Sequence, residues 1–92
     1  MLTDQQAIDR AFAYLTGNRI VGGDVRLAVK SEWIKRVPGA VVVGYNSARF
    51  VETGDPAVTL LGNMPIRVEE STGECRELGI SEYFDIYQGK NP

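Results

Sequence analysis

Cys75 and three acidic groupings are the residues of this chain whose type and spacing could do chemistry. A nucleophilic cysteine needs a setting that stabilises thiolate, made by histidine, a helix N-terminus or clustered cations. Cys75 falls instead between Glu74 and Arg76 in a predicted strand, and Arg76 alone is a weak activator. It reads as a small strand residue. The acidic groupings are Glu69-Glu70, Glu74 with Glu77, and Glu52 with Asp55, each flanking a turn. A glycosidase pair must face across a substrate cleft, which so short a chain can hardly wall. No stretch has the D-x-[DN]-x-[DN]-G spacing of a calcium loop. Solvated charge, or acidic anchors for a partner, is what remains. The 92 residues include no histidine, which removes the commonest general base, the usual triads and most zinc sites together. The expectation is a protein that is not an enzyme, with no cofactor and no metal site.

Other singular residues carry binding, not reaction. Gly22-Gly23 precedes a predicted strand and so lacks the helix N-terminus that makes a glycine loop a phosphate cradle. Trp33, the one tryptophan, shares an apolar strand face with Leu27 and Val29 and reads first as core. The alternative is an interface anchor, because tryptophan is enriched among binding hot spots. Met64, between Asn63 and Pro65, is either tucked under the sheet or held out to a partner.

Composition sets the scale. The apolar fraction of 43% and the charged fraction of 24% are those of an ordinary globular protein. A chain this size makes one domain, 1–92, and buries only about 60% of its unfolded surface. Residues 1–46 hold six Lys/Arg against four Asp/Glu, and residues 47–92 hold four against eight. Only Lys30, Lys35 and Arg36 approach a basic cluster, with Glu32 among them, so nucleic-acid binding is disfavoured. A single cysteine forbids an internal disulfide and fits a reducing cytoplasm. The first residues resemble no signal peptide, and no apolar run approaches the ~20 residues of a membrane helix. A soluble cytoplasmic protein is expected.

The elements follow from periodicity. Thr3 with Gln6 is a capping box, and Ile8, Ala11, Phe12 and Leu15 recur at helical spacing, which predicts a helix over 3–16 ended by a left-handed cap at Gly17-Asn18. Period two then sets in. Val25, Leu27, Val29, Ser31 and Trp33 share one strand face, while Arg26, Ala28, Lys30, Glu32, Ile34 and Arg36 share the other, mixed and solvent-facing one. Pro38-Gly39 predicts a type II turn into a second strand over 40–50, so 25–50 reads as a hairpin. Turn chemistry marks 52–56 and 62–65, segment 58–61 is untyped, and a third strand starts at Ile66. Ser71-Thr72-Gly73 turns into a fourth over 74–78. Ser81 caps a short terminal helix with Ile80, Tyr83, Phe84 and Tyr87 on one apolar stripe. The fold class is therefore α+β: an N-terminal helix on a four-stranded antiparallel sheet, with a short C-terminal helix. A cystatin-like wrap of sheet around helix is the specific expectation.

The order Tyr45-Asn46-Ser47, Glu52-Thr53-Gly54-Asp55, Gly62-Asn63-Met64-Pro65-Ile66-Arg67-Val68, Thr72-Gly73-Glu74 and Leu78-Gly79, after Ala11-Phe12 and Tyr14-Leu15, resembles the immunity-protein-35 family, also called YrhB-like domains. The resemblance spans nearly the whole chain. Ala40 stands where that family often has Trp, and Met64 where it often has a small residue. The resemblance implies a cytoplasmic antidote to a polymorphic toxin or, for one branch, a small chaperone-like protein.

The leading expectation is thus an immunity protein that occludes a cognate toxin protein, with a holdase as the alternative. Loops on a rigid scaffold are where binding residues concentrate. Arg49, Glu52 and Asp55 in one loop, with Asn63 and Met64 in the next, are the candidate partner-binding residues.

Overall fold

A computed structural model of the chain describes residues 2–18, 26–55 and 64–88. Gly22-Gly23, segment 58–61, Asn63 and the tail 89–92 lie outside the described residues. The first helix, α1, is Asp4–Gly17. Its capping box is complete: the Gln6 N–H donates to Thr3 Oγ1 at 3.1 Å, and the Thr3 N–H donates to Gln6 Oε1 at 2.9 Å. The C-terminus differs from expectation. Asn18 is not left-handed (φ −101°), and it closes the helix by donating both its backbone and side-chain N–H to the Tyr14 carbonyl. The side-chain amide does the work that positive φ does in a Schellman cap.

Strands β2 (Ile34–Val37), β3 (Ala40–Val43), β5 (Ile66–Glu69) and β6 (Cys75–Glu77) form an antiparallel sheet in that order. A two-stranded sheet pairs β1 (Leu27–Ala28) with β4 (Asn46–Ser47). Pro38-Gly39 makes the β2–β3 turn with Gly39 at φ +77°, and Gly73 (φ +76°) serves the β5–β6 turn. The pairs Val41↔Val68 and Val43↔Ile66 place four fully buried side chains on the face under α1. Ala7, Ala11 and Leu15 meet them, also fully buried. Two alanines let the helix backbone approach the valine surface closely. Ile8 and Phe12, expected at the centre of the stripe, pack against its margin and are half-buried.

The predicted strand 25–36 is not continuous. A 3₁₀ turn at Ser31–Trp33 separates β1 from β2 and resets the alternation. Ile34, assigned by period two to the solvent side, therefore packs on the α1 core with Leu27 and Val29. The predicted strand 40–50 also breaks. Ser47 Oγ accepts from the Phe50 N–H at 3.1 Å and caps a short helix, α2 (Ala48–Thr53), which ends at Gly54 in the left-handed region (φ +72°). Two strong local signals, a Ser N-cap and a Gly C-cap, override the β propensity between them. Val42 points away from α1 yet is fully buried, so the sheet is covered on both sides at β3. One solvated face is the wrong description there.

Leu15→Ala removes a wholly buried side chain and should cost about 2–5 kcal/mol in denaturant melts. Phe12→Ala should cost clearly less. A Leu15→Ala loss below about 1 kcal/mol would remove α1 from the core.

Candidate partner-binding surface

The chain after β6 returns through Leu78, whose N–H donates to the Pro65 carbonyl at 3.0 Å. Helix α3 (Ile80–Tyr83) follows and continues as a π-helical turn over Phe84–Gln88. Ser81 does not cap it. Gly79 holds the N-cap position, and the Glu82 carboxylate accepts from its N–H at 2.9 Å. The same carboxylate takes a two-pronged contact from Arg76 on β6, with both N–O distances 2.9 Å. The Arg76 guanidinium, then the Gly79 N–H, holds the exposed Glu82 carboxyl at about 2.

A second attachment lies one turn on. Tyr87 donates its hydroxyl to the Trp33 carbonyl at 2.6 Å. Burial, with a smaller effect of nearby Tyr83, raises the Tyr87 phenol well above its ordinary value, so it remains a donor. Gly44, just past β3, makes this approach possible. A Cβ there would stand 3.1 Å from Trp33 Cβ, 3.3 Å from the Trp33 carbonyl oxygen and 3.2 Å from the Tyr87 hydroxyl.

These contacts shape a groove of about 280 Å³ lined by Trp33, Tyr45, Tyr83 and Tyr87 with Gly44 and Asn46. Pro65 closes one side. The Tyr83 and Tyr87 rings stack at 5.3 Å between centroids, and Phe84 meets Tyr83 edge-on at 5.7 Å. Two lysines lie over the rings: Lys30 Nζ is 5.5 Å from the Trp33 ring centre and Lys35 Nζ is 5.8 Å from that of Tyr87. Outward from the groove, Ile80 is 70% exposed and Phe84 50% exposed. The apolar stripe expected on the terminal helix exists, but half of it faces solvent.

The expected site residues fall differently. Arg49, Glu52 and Asp55 are exposed and together, on α2 and just beyond its cap, so this predicted loop is a helix. Met64 is half-buried and leads into Pro65 of the aromatic groove. Asn63 lies outside the described residues. Trp33 is half-buried as a groove wall, between the two readings offered for it. Sequence reasoning missed Tyr83, Tyr87 and Phe84 as surface residues. The available signal was their density in a terminal helix too short to be core. Cys75 is half-buried in β6, with Sγ 3.6 Å from the carbonyl oxygens of Arg10 and Gly73. Burial pushes its thiol up, against a smaller lowering by Arg10, which is the opposite of nucleophile activation.

No family model matches the chain, and no solved structure matches it. The chain is similar to the uncharacterized protein YrhB of Escherichia coli (strain K12), 36% identical over 50 residues, covering 50% of this chain and 53% of that protein. It thus spans about half the length of the curated relative it matches. No helix among the described residues is long and apolar enough to cross a membrane.

Gly44→Ala should push Trp33 and Tyr87 apart, red-shifting the emission of the single tryptophan and lowering the melting midpoint. Unchanged emission and midpoint would mean that the approach at Gly44 does not hold the groove. The Glu82 contact gives a pH test. A carboxyl with a depressed folded pKa stabilises the folded form above its unfolded value, near 4.5, and loses that contribution as pH falls through the folded value. Docking of α3 should therefore weaken between pH 4.5 and about 2, as read by amide exchange at residues 80–87. Glu82→Gln should remove this dependence; if it persists in that variant, another group carries it.

Proposed function

We propose that this chain is a non-catalytic cytoplasmic binding protein of the immunity type, which neutralises a cognate toxin by seating on it. The observation that carries the reading is the exposure of Ile80 and Phe84 beside the Trp33–Tyr83–Tyr87 groove. Large apolar side chains held out on a scaffold this small mark an interaction surface. Tryptophan and tyrosine are the side chains that carry most binding energy at such surfaces. The resemblance to immunity proteins supplies the class of partner. Arg49, Glu52 and Asp55 form a separate polar patch suited to the rim of the interface, with Glu52 and Asp55 meeting basic groups, while Met64, leading into Pro65 of the groove, supplies an adaptable apolar contact.

The exposed Ile80 and Phe84 also fit a second reading, a small chaperone-like holdase that covers apolar surface of many clients. The two separate in one experiment. The protein encoded beside this chain is expressed with it, and growth and complex formation are followed. An antidote restores growth and forms a saturable one-to-one complex. A holdase suppresses aggregation of unrelated clients without fixed stoichiometry, and that result would replace the immunity reading.

Two variants test the surface. Ile80→Ser with Phe84→Ser alters exposed positions, so stability should change by under about 1 kcal/mol, while toxin affinity should fall by about 100-fold or more. Glu52→Lys with Asp55→Lys should slow association, most at low salt where screening is weak. An unchanged on-rate at low ionic strength would remove α2 from the interface.

A further inference from the structure

The shape and charge of the aromatic groove narrow what its occupant can be. An amphipathic helix needs anchors at i, i+3 or i+4, and i+7, spread over about 10 Å of helix axis. A recess of about 280 Å³ falls just below the size of a drug-binding pocket and has no room for such a row. Strand addition relies on main-chain hydrogen bonds at a sheet edge, whereas this recess is walled by side-chain rings. Its lining is rich in rings, Trp33, Tyr45, Tyr83 and Tyr87, together with Pro65, Asn46 and Gly44, which has no side chain. Aromatic walls of this kind accept compact, rigid, C–H-rich groups against their ring faces. Proline in an extended polyproline II segment is such a group, and the segment loses little entropy on docking because it is already ordered.

The rim carries a second constraint. Lys30 and Lys35 are the side chains whose ammonium groups lie over the Trp33 and Tyr87 rings. Glu32 shares the 3₁₀ turn and is exposed, while the Glu82 carboxylate is held by Arg76 on β6. The charges placed directly over ring faces are thus the two ammonium groups, and an ammonium resting on a ring can still donate to an incoming carboxylate.

We propose that the groove receives an extended, proline-containing segment of the protein partner, with Asp or Glu flanking the prolines. This rests on reading the aromatic face as the partner-binding surface and adds the chemistry of what enters it. The prolines lie against the lining at Trp33 and Tyr83, with Tyr87 backing Tyr83 by stacking, and the flanking carboxylates meet Lys30 and Lys35.

The single tryptophan makes the groove its own reporter. Three synthetic peptides are titrated against the full chain: four prolines flanked by glutamates, the same prolines flanked by lysines, and a glycine–serine segment flanked by glutamates. The Glu–Pro peptide should change Trp33 emission saturably. The Lys–Pro peptide should bind about 10-fold more weakly at low salt, with the gap closing as salt rises, and the glycine–serine peptide should not bind. In a Lys30→Glu, Lys35→Glu variant the preference should reverse toward the Lys–Pro peptide, which a merely unfolded protein cannot do. Equal binding of all three peptides, or of none, overturns the proposal. The partner protein is titrated in parallel against Ile80→Ser, Phe84→Ser. If that variant loses the partner while no peptide binds, the proline assignment falls and the docking face stands. If it keeps the partner at full affinity, the docking face falls.

Discussion

The contact on which the candidate site depends is the hydrogen bond from the Tyr87 hydroxyl to the Trp33 carbonyl, 2.6 Å long, formed across Gly44. Without it the turn beyond Leu78 would still reach β6 through the Arg76–Glu82 pair, but exposed ion pairs are individually weak. The bond is half-buried and its donor is kept protonated by burial. It ties together the 3₁₀ turn, the end of β3 and the last described turn of the chain. Trp33 and Tyr87 thereby become opposite parts of one groove, and the intervening helix is left with Ile80 and Phe84 facing out.

This arrangement divides the molecule into two jobs. On one side of the sheet α1 builds an ordinary core, with Ala7, Ala11 and Leu15 against Val41, Val43, Ile66 and Val68. Apolar area buried there supplies most of the stability, as it does in small domains generally. The C-terminal segment joins this scaffold through a few specific contacts and leaves apolar surface uncovered. That is a cost to the free chain, and a bound partner would offset it.

Much of the scaffold was legible in the sequence. The Thr3–Gln6 capping box, the Pro38-Gly39 turn and the Gly73 turn are local signals whose mechanism lies within a few residues, and each stands where it was read. What failed was continuity. The run from Val25 to Arg36 alternates cleanly, yet the 3₁₀ turn at Ser31–Trp33 resets its phase and delivers Ile34 to the core. Such a turn has little sequence signature, and a single shift exchanges the two faces of a strand. Helix α2 was hidden for another reason. Its Ser47 and Gly54 caps are seven residues apart, and the run up to Phe50 that enters the helix read as strand. The aromatic groove was least legible, because Trp33, Gly44, Pro65 and Tyr87 meet only through tertiary approach. Spacing along the chain does not encode that meeting.

That a partner protein is bound through the aromatic C-terminal face can be tested most directly by a footprint of the complex. Amide exchange and the Trp33 indole N–H resonance would be recorded for the chain alone and with the protein encoded beside it. The account predicts new protection over residues 80–87 and a shifted Trp33 indole signal, with α1 unchanged. Protection confined to α1 or α2, with the Trp33 resonance unmoved, would contradict it.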